Sequence, residues 1–263
     1  MKKILLTGAT GRIGQEFWRY AEDKYDLRVT SRSLERLGDP GRHEAMELES
    51  ADPDACQRAC AGIHTVVHLA ADPSTKADFY GSLLDNNIKG AYNMFRAAKD
   101  QGCQRMVYAS SIQTIEGYPL DVPGAVDRPT RPLNLYGVTK CFGEALCHYF
   151  AMAEGLSCIA VRIGNYESNP TDTPGVKDAR NLSAFISIRD MNHMLERCIE
   201  TPNIQFGIVQ GVSDNRFKRM DITSSRELIG YEPRDDAFVL FNPGIIYRER
   251  WYEEAPHRRE REG

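Results

Sequence analysis

The chain has 263 residues, of which 41% are hydrophobic, and carries a formal net charge of -4 with a pI near 5.9. This length and composition suit one large α/β domain, or a domain with a small appendage. The acidic balance argues against non-specific nucleic-acid binding, and no apolar run reaches the length of a membrane span.

The seven cysteines are scattered without a C-x-x-C pair, and the six histidines show no metal-ligand spacing. We therefore expect reduced thiols that mostly pack in the interior of a cytoplasmic protein, and we expect no metal site. The apolar start of the chain is interrupted at Thr7 and Gly8, so it predicts a strand rather than a signal peptide.

The first fourteen residues predict a strand, a glycine-rich turn and the start of a helix. Gly8, Gly11 and Gly14 follow the strand in the spacing G-x-x-G-x-x-G. Such a turn presents backbone N–H groups and the positive end of a helix dipole to a diphosphate. We expect Gly8 to allow the turn, Gly11 to admit the pyrophosphate and Gly14 to let the helix pack closely. Three glycines alone are a weak signal, but this context favours dinucleotide binding over an ordinary turn.

The end of the second strand bears on the cofactor. A helix over 12–23 precedes this strand, which we expect over 26–30. NAD-binding units usually carry an acidic residue here, bonded to the ribose 2′-OH. This chain has Ser31 and Arg32 instead, with Arg12 in the facing turn. Because arginine binds phosphate through a bidentate fork, NADP is slightly favoured and NAD is the alternative, with both arginines solvated.

A third strand is expected over 45–48, with Glu49 after it, where adenine contacts would occur. The helix predicted over 53–61 has Asp52 as its N-cap.

The fourth strand, over 63–70, ends in small residues that would let a cofactor lie across it. Leu69, Ala70 and Ala71 form this end. His68 lies inside the apolar strand, so we interpret it as a core histidine rather than a catalytic one.

Two further elements add polar residues. A long helix is predicted over 78–101, and Asn87 on its inner face could bridge backbone groups and position a catalytic lysine. The fifth strand, over 104–109, leads into Ser110 and Ser111. Ligands of open α/β sheets bind outside the carboxyl ends of the strands, where these serines occur, although they could instead form a cap or a turn.

After a proline-rich loop over 112–133, a helix over 134–154 opens with Tyr136 and Lys140. Residues four apart share one helical face. A phenol has a pKa near 10, and we expect the lysine ammonium, with a positive nicotinamide ring, to lower it. Tyr136 is thus a candidate proton shuttle. The Y-x-x-x-K spacing alone would indicate a surface pair, but the glycine turn and the serines before it favour catalysis.

The remainder completes one predicted Rossmann-type domain over 1–263. We expect 165–246 to contribute a small substrate-binding lobe, the ordered core to end near 230–233, and 247–263 to form a charged tail. The predicted elements are a strand over 157–161, a loop over 167–181, a helix over 189–200, a strand over 205–209 and a helix over 222–229.

These motifs together resemble the extended short-chain dehydrogenases/reductases of the epimerase/dehydratase superfamily. The resemblance covers most of the chain and is carried by residues 7–14, 110–111, 136–140 and 162–165. Longer strings, at 135–144, 161–164, 180–183 and 211–215, are similar to the uronate dehydrogenase-like branch. The resemblance implies an α/β fold, with a doubly wound parallel Rossmann sheet and a small C-terminal substrate-binding part.

The resemblance also implies roles. Tyr136 would be the general base, Lys140 would lower its pKa and hold the nicotinamide ribose, and Ser111 would bond the reacting oxygen. Arg180 would bind a substrate carboxylate, and the anomeric carbon of a sugar would be oxidised to a lactone with hydride transfer to NAD(P). The implied and expected cofactor-binding residues are Gly8, Gly11, Arg12, Ile13, Gly14, Ser31, Arg32, Glu49, Leu69, Ala70, Ala71, Asn87, Tyr136, Lys140 and Ile163.

The chain departs from that branch around the substrate. Ile112 and Gln113 stand where uronate dehydrogenases have Asn-His, so Gln113 is an alternative to Ser111 for polarising the reacting oxygen. Asn165 replaces a substrate-contacting serine, and Ser74 lies beside the position of another. Arg180 suggests an anionic group on the sugar, with a structural salt bridge as the alternative. The expected substrate contacts are Ser74, Ser111, Ile112, Gln113, Asn165 and Arg180.

The sequence disfavours two other functions. A nucleotide-sugar epimerase or dehydratase is disfavoured by the short segment after Asn165 and by the lack of an acidic pair after Ser111. A non-catalytic NAD(P)-binding sensor is disfavoured because Tyr136 and Lys140 are both present. We expect a small-molecule sugar substrate and a homo-oligomer formed through the helices at 78–101 and 134–154.

Overall fold

Strands that alternate with helices along the chain pair in parallel, because a helix must carry the chain back to the starting edge of the sheet. In a computed structural model, which describes residues 1–167 and 179–241, seven strands form one parallel sheet in the order β3-β2-β1-β4-β5-β6-β9. The strands of this sheet are β1 (Lys3–Thr7), β2 (Asp26–Ser31), β3 (Glu44–Glu47), β4 (Thr65–His68), β5 (Arg105–Ser111), β6 (Ser157–Ile163) and β9 (Phe206–Gly211). The predicted doubly wound Rossmann sheet is confirmed.

Helices cover both faces of the sheet, and strand residues alternate between two cores. Ile4 and Leu6 pack with Phe17 on one face, and Leu5 packs with Phe95 and Phe150 on the other. The helices are α1 (Arg12–Ala21), α2 (Pro53–Cys60), α3 (Gly90–Asp100), α4 (Leu135–Met152), α5 (Ala179–Ala184), α6 (Ile188–Glu200), α7 (Thr223–Ile229) and α8 (Ala237–Leu240). The predicted cap of α2 is confirmed, since the Asp52 carboxylate accepts from the N–H groups of Asp54 and Ala55.

The helix predicted over 78–101 has two parts. Phe79–Lys89 is wound as a π-helix, and α3 continues from Gly90 in ordinary α geometry. Strands β5 and β6 also extend further at their carboxyl ends than expected. β5 includes Ser110 and Ser111, and β6 continues to Ile163.

A small second layer follows β6. The two-residue strands β7 (Asn165–Tyr166) and β8 (Phe185–Ile186) pair in parallel, and neither they nor α5 was predicted. The expectation that order ends near 230–233 is wrong, because α8 follows and its Phe238 packs with Leu182 and Phe185 in a separate apolar cluster. Most of the loop over 167–181 and all of the tail over 247–263 lie outside the described residues, and the division into domain, lobe and tail stays a prediction.

Six of the seven cysteine thiols are buried and Cys141 is partly buried, which confirms their packing role. Within the described ranges, no helix has the length and apolarity needed to cross a membrane.

Candidate active site

The glycine turn after β1 is shaped by close backbone contacts. Gly8 has φ of +68°, and its carbonyl accepts from the N–H of Gly11 at 2.9 Å. A Cβ on Gly8 would lie 2.9 Å from the Ala70 nitrogen, and one on Gly14 would lie 2.2 Å from the Gly8 oxygen. The turn therefore requires glycine at both positions, and α1 starts immediately after it with its N–H groups at the cleft.

The strand ends below the turn are joined by a buried polar contact. The Thr7 hydroxyl accepts from the N–H of Ala70 at 3.1 Å and lies 2.8 Å from Nδ1 of His68. Burial, with a smaller effect of Lys140, lowers the pKa of His68 to about 3, so the ring is neutral. His68 is the satisfied core histidine that its apolar strand predicts.

A cleft of about 710 Å³ crosses the carboxyl ends of β1, β4 and β5 and continues toward α5. The structure brings together most of the predicted site here. The predicted residues that line it are Gly8, Gly11, Arg12, Ile13, Gly14, Ser31, Arg32, Leu69, Ala70, Ala71, Ser111, Ile112, Gln113, Tyr136, Lys140, Ile163, Asn165 and Arg180.

Glu49 and Ser74 do not line the cleft, and their predicted contacts stay predictions. The Glu49 carboxylate is exposed and accepts from the N–H of Ala51 at 3.3 Å, while the neighbours of Glu49 at 48 and 50 reach the cleft instead. The Ser74 hydroxyl accepts from the N–H of Lys76 at 3.2 Å, and the residues at 73 and 75 are the lining ones. In both cases a local turn directs the side chain to a nearby backbone amide.

Asn87 is buried beside the cleft rather than lining it. Its Oδ1 accepts from the N–H of Asp72 at 2.8 Å, and its Nδ2 donates to the Asp72 carbonyl at 3.0 Å and to Thr139 Oγ1 at 3.1 Å. The amide thus joins the segment after β4 to α4, one residue before Lys140. It bridges backbone groups as the sequence suggests, and its positioning of the lysine stays a prediction.

Tyr136, Ser111 and Lys140 meet at the centre of the cleft. Ser111 Oγ accepts from the N–H of Gln113 at 3.2 Å, and the Ser111 side chain is close enough to Tyr136 to lower the pKa of its phenol. The Lys140 ammonium donates to the Ala109 carbonyl at 2.8 Å and lies 5.5 Å from the centroid of the Tyr136 ring. Two helix residues four apart and the end of β5 therefore build one polar centre.

Burial dominates the electrostatics of this centre. It raises the pKa of Tyr136, the Ser111 side chain opposes that rise, and the charge of Asp72 adds to it. Burial also lowers the pKa of Lys140 to about 7, so this amine is only partly charged at neutral pH. The lowering of the phenol pKa by Lys140 together with a positive nicotinamide ring stays a prediction.

The alternative to Ser111 has a different partner. Gln113 lines the cleft, but its Oε1 accepts from Nδ2 of Asn134 at 2.8 Å. Asn134 in turn caps α4 by accepting from the N–H of Gly137 at 2.8 Å. This geometry favours Ser111 for the contact with the reacting oxygen and gives Gln113 a part in holding the start of α4.

The structure contains a buried ion pair behind this centre that the predicted site does not include. Arg162 donates to both oxygens of Glu144, at 2.8 and 2.9 Å, and Ser110 Oγ donates to Oε1 of Glu144 at 2.6 Å. The three residues tie β5, β6 and α4 together one helical turn after Lys140. Glu144 and Arg162 both lie in sequence strings that are similar to the uronate dehydrogenase-like branch. The sequence does not show that the two side chains face each other.

Arg180 borders the cleft and also forms a salt bridge within the protein. It lines the cleft, and its Nε and Nη2 donate to Oε1 and Oε2 of Glu116 at 2.9 and 2.5 Å. The salt bridge that the sequence left as an alternative is thus present, at a position where the guanidinium also borders the cleft. Glu116 was not among the predicted residues.

Three exposed arginines line the far end of the cleft near β2. Arg12 and Arg32 were predicted, and Arg36 joins them from a 3₁₀ turn, Leu34–Arg36. Ser31 lies among them with its Oγ 3.4 Å from Thr10 Oγ1. No carboxylate lines this end of the cleft among the described residues. The site therefore fits a nicotinamide dinucleotide, with the glycine turn, the cations near β2 and the polar centre at Tyr136 along one cleft.

In the part of the chain that the structure describes, no three or more His, Cys, Asp or Glu side chains are grouped to hold a metal ion.

Comparison with known proteins places this site in context. Residues 4–197 match the NAD dependent epimerase/dehydratase family. NAD-dependent glucose-6-phosphate dehydrogenase from Haloferax volcanii is 36% identical over 250 residues, covering 89% of this chain and 94% of the relative. L-arabinose 1-dehydrogenase (NAD(P)(+)) from the same organism is 29% identical over 261 residues, covering 91% and 99%. The crystal structure of uronate dehydrogenase from Agrobacterium tumefaciens superposes with a TM-score of 0.81 at 32% identity, covering 97% of this chain and 90% of that one.

Proposed function

The chain belongs to the NAD-dependent epimerase/dehydratase family, and we propose that within this family it oxidises the anomeric carbon of a sugar to the lactone, with NAD(P) as the oxidant. The proposed substrate is an acidic sugar such as a uronate, or a related aldose. The observation that carries this function is the contact of Tyr136 with Ser111 in the cleft, with Lys140 beside them.

Ser111 and Tyr136 have separate roles in removing the proton of the anomeric hydroxyl group. Ser111 donates to the anomeric hydroxyl oxygen and holds it beside Tyr136. Tyr136 accepts the hydroxyl proton as a general base, a role that typically accelerates such a step about 10² to 10⁴-fold. The positive charge of a bound nicotinamide ring would oppose the rise that burial gives to the pKa of Tyr136. The chemistry that a bound NAD(P) would supply is acceptance of hydride from C1, and loss of this hydride together with the hydroxyl proton would leave C1 as the lactone carbonyl. The glycine turn, Tyr136 and Lys140 are the residues that would hold the nucleotide.

The residues at the β2 end support NADP over NAD. Arg12, Arg32 and Arg36 are exposed cations that line the cleft. A ribose 2′-phosphate would be drawn to this cluster, whereas a ribose 2′-OH would lack the acidic partner that NAD-binding units usually supply.

The sugar end supports a site with its own selectivity. Asn165 and Arg180 come from the segment expected to form the substrate-binding lobe, and both line the cleft. The names of the relatives include a phosphorylated sugar, a uronate and a neutral pentose, so the family accommodates both anionic and neutral sugars. The cation of Arg180 supports a sugar that carries an anionic group. Its pairing with the Glu116 carboxylate weakens that support.

Incubation with NAD or NADP and a panel of sugars tests the function. The panel contains D-glucuronate, D-galacturonate, D-glucose 6-phosphate, D-glucose and L-arabinose, and reduced nicotinamide absorbance is followed over time. We expect reduction with at least one sugar and a lactone product identified by NMR. Tight nucleotide binding with no reduction by any sugar would support the non-catalytic alternative, and a redox-neutral change of a nucleotide sugar would support an epimerase.

A homo-oligomer is proposed through the helices after β4 and β5. Exposed apolar side chains on these helices support it: Tyr80, Tyr92, Leu135, Val138 and Tyr149. Light scattering coupled to size exclusion measures the mass, and a monomer at all accessible concentrations would contradict the proposal.

A further inference from the structure

The guanidinium of Arg180 is held by a carboxylate of the protein itself. Arg180 lines the cleft and Glu116 does not, so the arginine lies on the cleft side of the pair. Two hydrogen bonds join the Nε–Nη2 edge to both carboxylate oxygens, at 2.9 and 2.5 Å. The side chains are only 26% and 14% exposed. A third bond, from Nη1 to Oδ1 of Asn181 at 3.0 Å, fixes the plane of the group.

This pairing reproduces the geometry with which arginine binds a ligand carboxylate. The planar fork matches two carboxylate oxygens, and here Glu116 supplies both. A carboxylate on the sugar would approach a guanidinium whose charge is already offset, and it would be repelled by Glu116. Because both side chains are partly buried, solvent screens this repulsion less than it would on an open surface.

Among the described residues, Arg219 is a further cation near this pair. Burial lowers the pKa of its guanidinium, the charge of Glu116 opposes this shift and the charge of Arg180 adds to it. It is 1% exposed, and its guanidinium donates to the carbonyls of Tyr118, Pro119 and Val122, the loop that follows Glu116. Arg219 is therefore committed to holding this loop and does not line the cleft.

We propose that Glu116 is a specificity-determining residue that sets the charge preference of the sugar site by offsetting Arg180. With the pair intact, Arg180 acts as a charge-compensated hydrogen-bond donor, and an acidic sugar gains little over its neutral counterpart. This inference rests on the proposed sugar dehydrogenase function and assigns Glu116 no contact with the reacting atoms.

The test uses D-glucuronate and D-glucose, which differ only at C6. The discrimination ratio is kcat/KM for glucuronate divided by kcat/KM for glucose. For Glu116→Gln, which keeps the shape and removes the charge, we expect this ratio to rise about tenfold or more. The rise should appear mainly as a lower KM for glucuronate, because a like charge next to the ligand has been removed from the ground state and transition state alike.

Two further variants separate charge from general disturbance. The double variant Glu116→Gln/Arg180→Gln removes both charges and should return the ratio to within about threefold of the wild type. Glu154→Gln is the matched control, since Glu154 pairs with Arg96 at 2.7 Å but lies about 27 Å from Tyr136 along the direction of α4. Its ratio should equal that of the wild type.

The wild type alone provides a measurement that does not depend on any variant folding. An offset pair should make the discrimination ratio nearly independent of salt, with less than about a twofold change between 0.05 and 0.5 M. A ratio above about 100 that decreases steeply with salt, or an unchanged ratio in Glu116→Gln, overturns the role of Glu116 while leaving the dehydrogenase intact. If neither wild type nor variants oxidise any sugar of the full panel with NAD or NADP, the proposed function itself fails, and the inference with it.

Discussion

The two ends of the cleft are built by different means. At the nucleotide end, the cleft is formed by backbone atoms, and the surroundings of Gly8 and Gly14 leave no room for a Cβ. At the sugar end, side chains are held by other side chains, as Arg180 is by Glu116 and Gln113 is by Asn134. Backbone recognition depends on the path of the chain, whereas side-chain recognition depends on which residues happen to face each other. The sugar end can therefore change with one substitution while the fold remains.

The largest expected effect lies where the two ends meet. Replacing Tyr136 with Phe removes the proton acceptor and leaves the ring in place, so kcat should fall about 10² to 10⁴-fold. Nucleotide affinity and the midpoint of thermal unfolding should change little. Stopped-flow or steady-state reduction of NAD(P) with the best sugar measures the change, and a variant that keeps full kcat would remove Tyr136 from the mechanism.

The backbone end can be broken by a single methyl group. Gly8→Ala combines left-handed strain, about 1–2 kcal/mol, with a contact of 2.9 Å to the Ala70 nitrogen. Nucleotide binding measured by calorimetry should weaken about 100-fold or be lost, and unfolding should occur at lower denaturant.

Gly62→Ala is the matched control for that change. Gly62 has φ of +71°, but a Cβ there would meet nothing within 4 Å. It should cost only the strain of about 1–2 kcal/mol and keep normal nucleotide affinity. Equal losses of affinity in both variants would contradict the steric account of the turn.

Lys140 links the two ends and makes stability depend on pH. Its pKa is about 7 in the folded protein and near 10.5 when unfolded, so the unfolded chain binds more protons between these values. The free energy of unfolding should therefore rise with pH above about 7, by up to about 1.4 kcal/mol per unit, and this contribution should be flat below that pH.

Lys140→Met isolates this contribution. Urea unfolding of wild type and variant at intervals between pH 7 and 8.5 should show the extra upward slope only in the wild type. The window stops there because burial raises the pKa of Cys56 and Cys198 to about 12, which gives the opposite slope as free thiols ionise near pH 9. Parallel curves for the two proteins would show that Lys140 is charged throughout.

The smallest effect concerns the outer edge of the nucleotide end, where side chains replace backbone. Arg32→Gln or Arg36→Gln should each raise KM for NADP about tenfold and change KM for NAD less than about twofold. Arg19→Gln serves as control, because Arg19 is exposed, pairs with Glu16 and does not line the cleft. A larger effect on NAD than on NADP would show that the cluster does not bind a 2′-phosphate.

Local sequence predicted the parts of the molecule whose partners are close along the chain. The β1–turn–α1 unit spans 3–21, and Tyr136 and Lys140 are four residues apart on one helix. The core role of His68 also followed from its apolar neighbours alone. In each case, strand alternation, helical periodicity or glycine geometry sufficed, since these act over a few residues.

Two predicted residues outside the cleft have local partners. Glu49 and Ser74 each accept from a nearby backbone amide, and their positions in the sequence do not show such a turn. The sequence also does not show the burial that raises the pKa of Tyr136, because burial is a property of the packed fold and not of the Y-x-x-x-K spacing.

By itself, the sequence determined a parallel α/β sheet, a glycine turn for a dinucleotide and a tyrosine–lysine pair on one helical face. Only the tertiary structure decided that Glu116 faces Arg180 across 64 residues and that Glu144 faces Arg162. The physical reason is range. Backbone geometry and periodicity are written in neighbouring residues, whereas the charge that a ligand meets is the sum over side chains that the fold brings together.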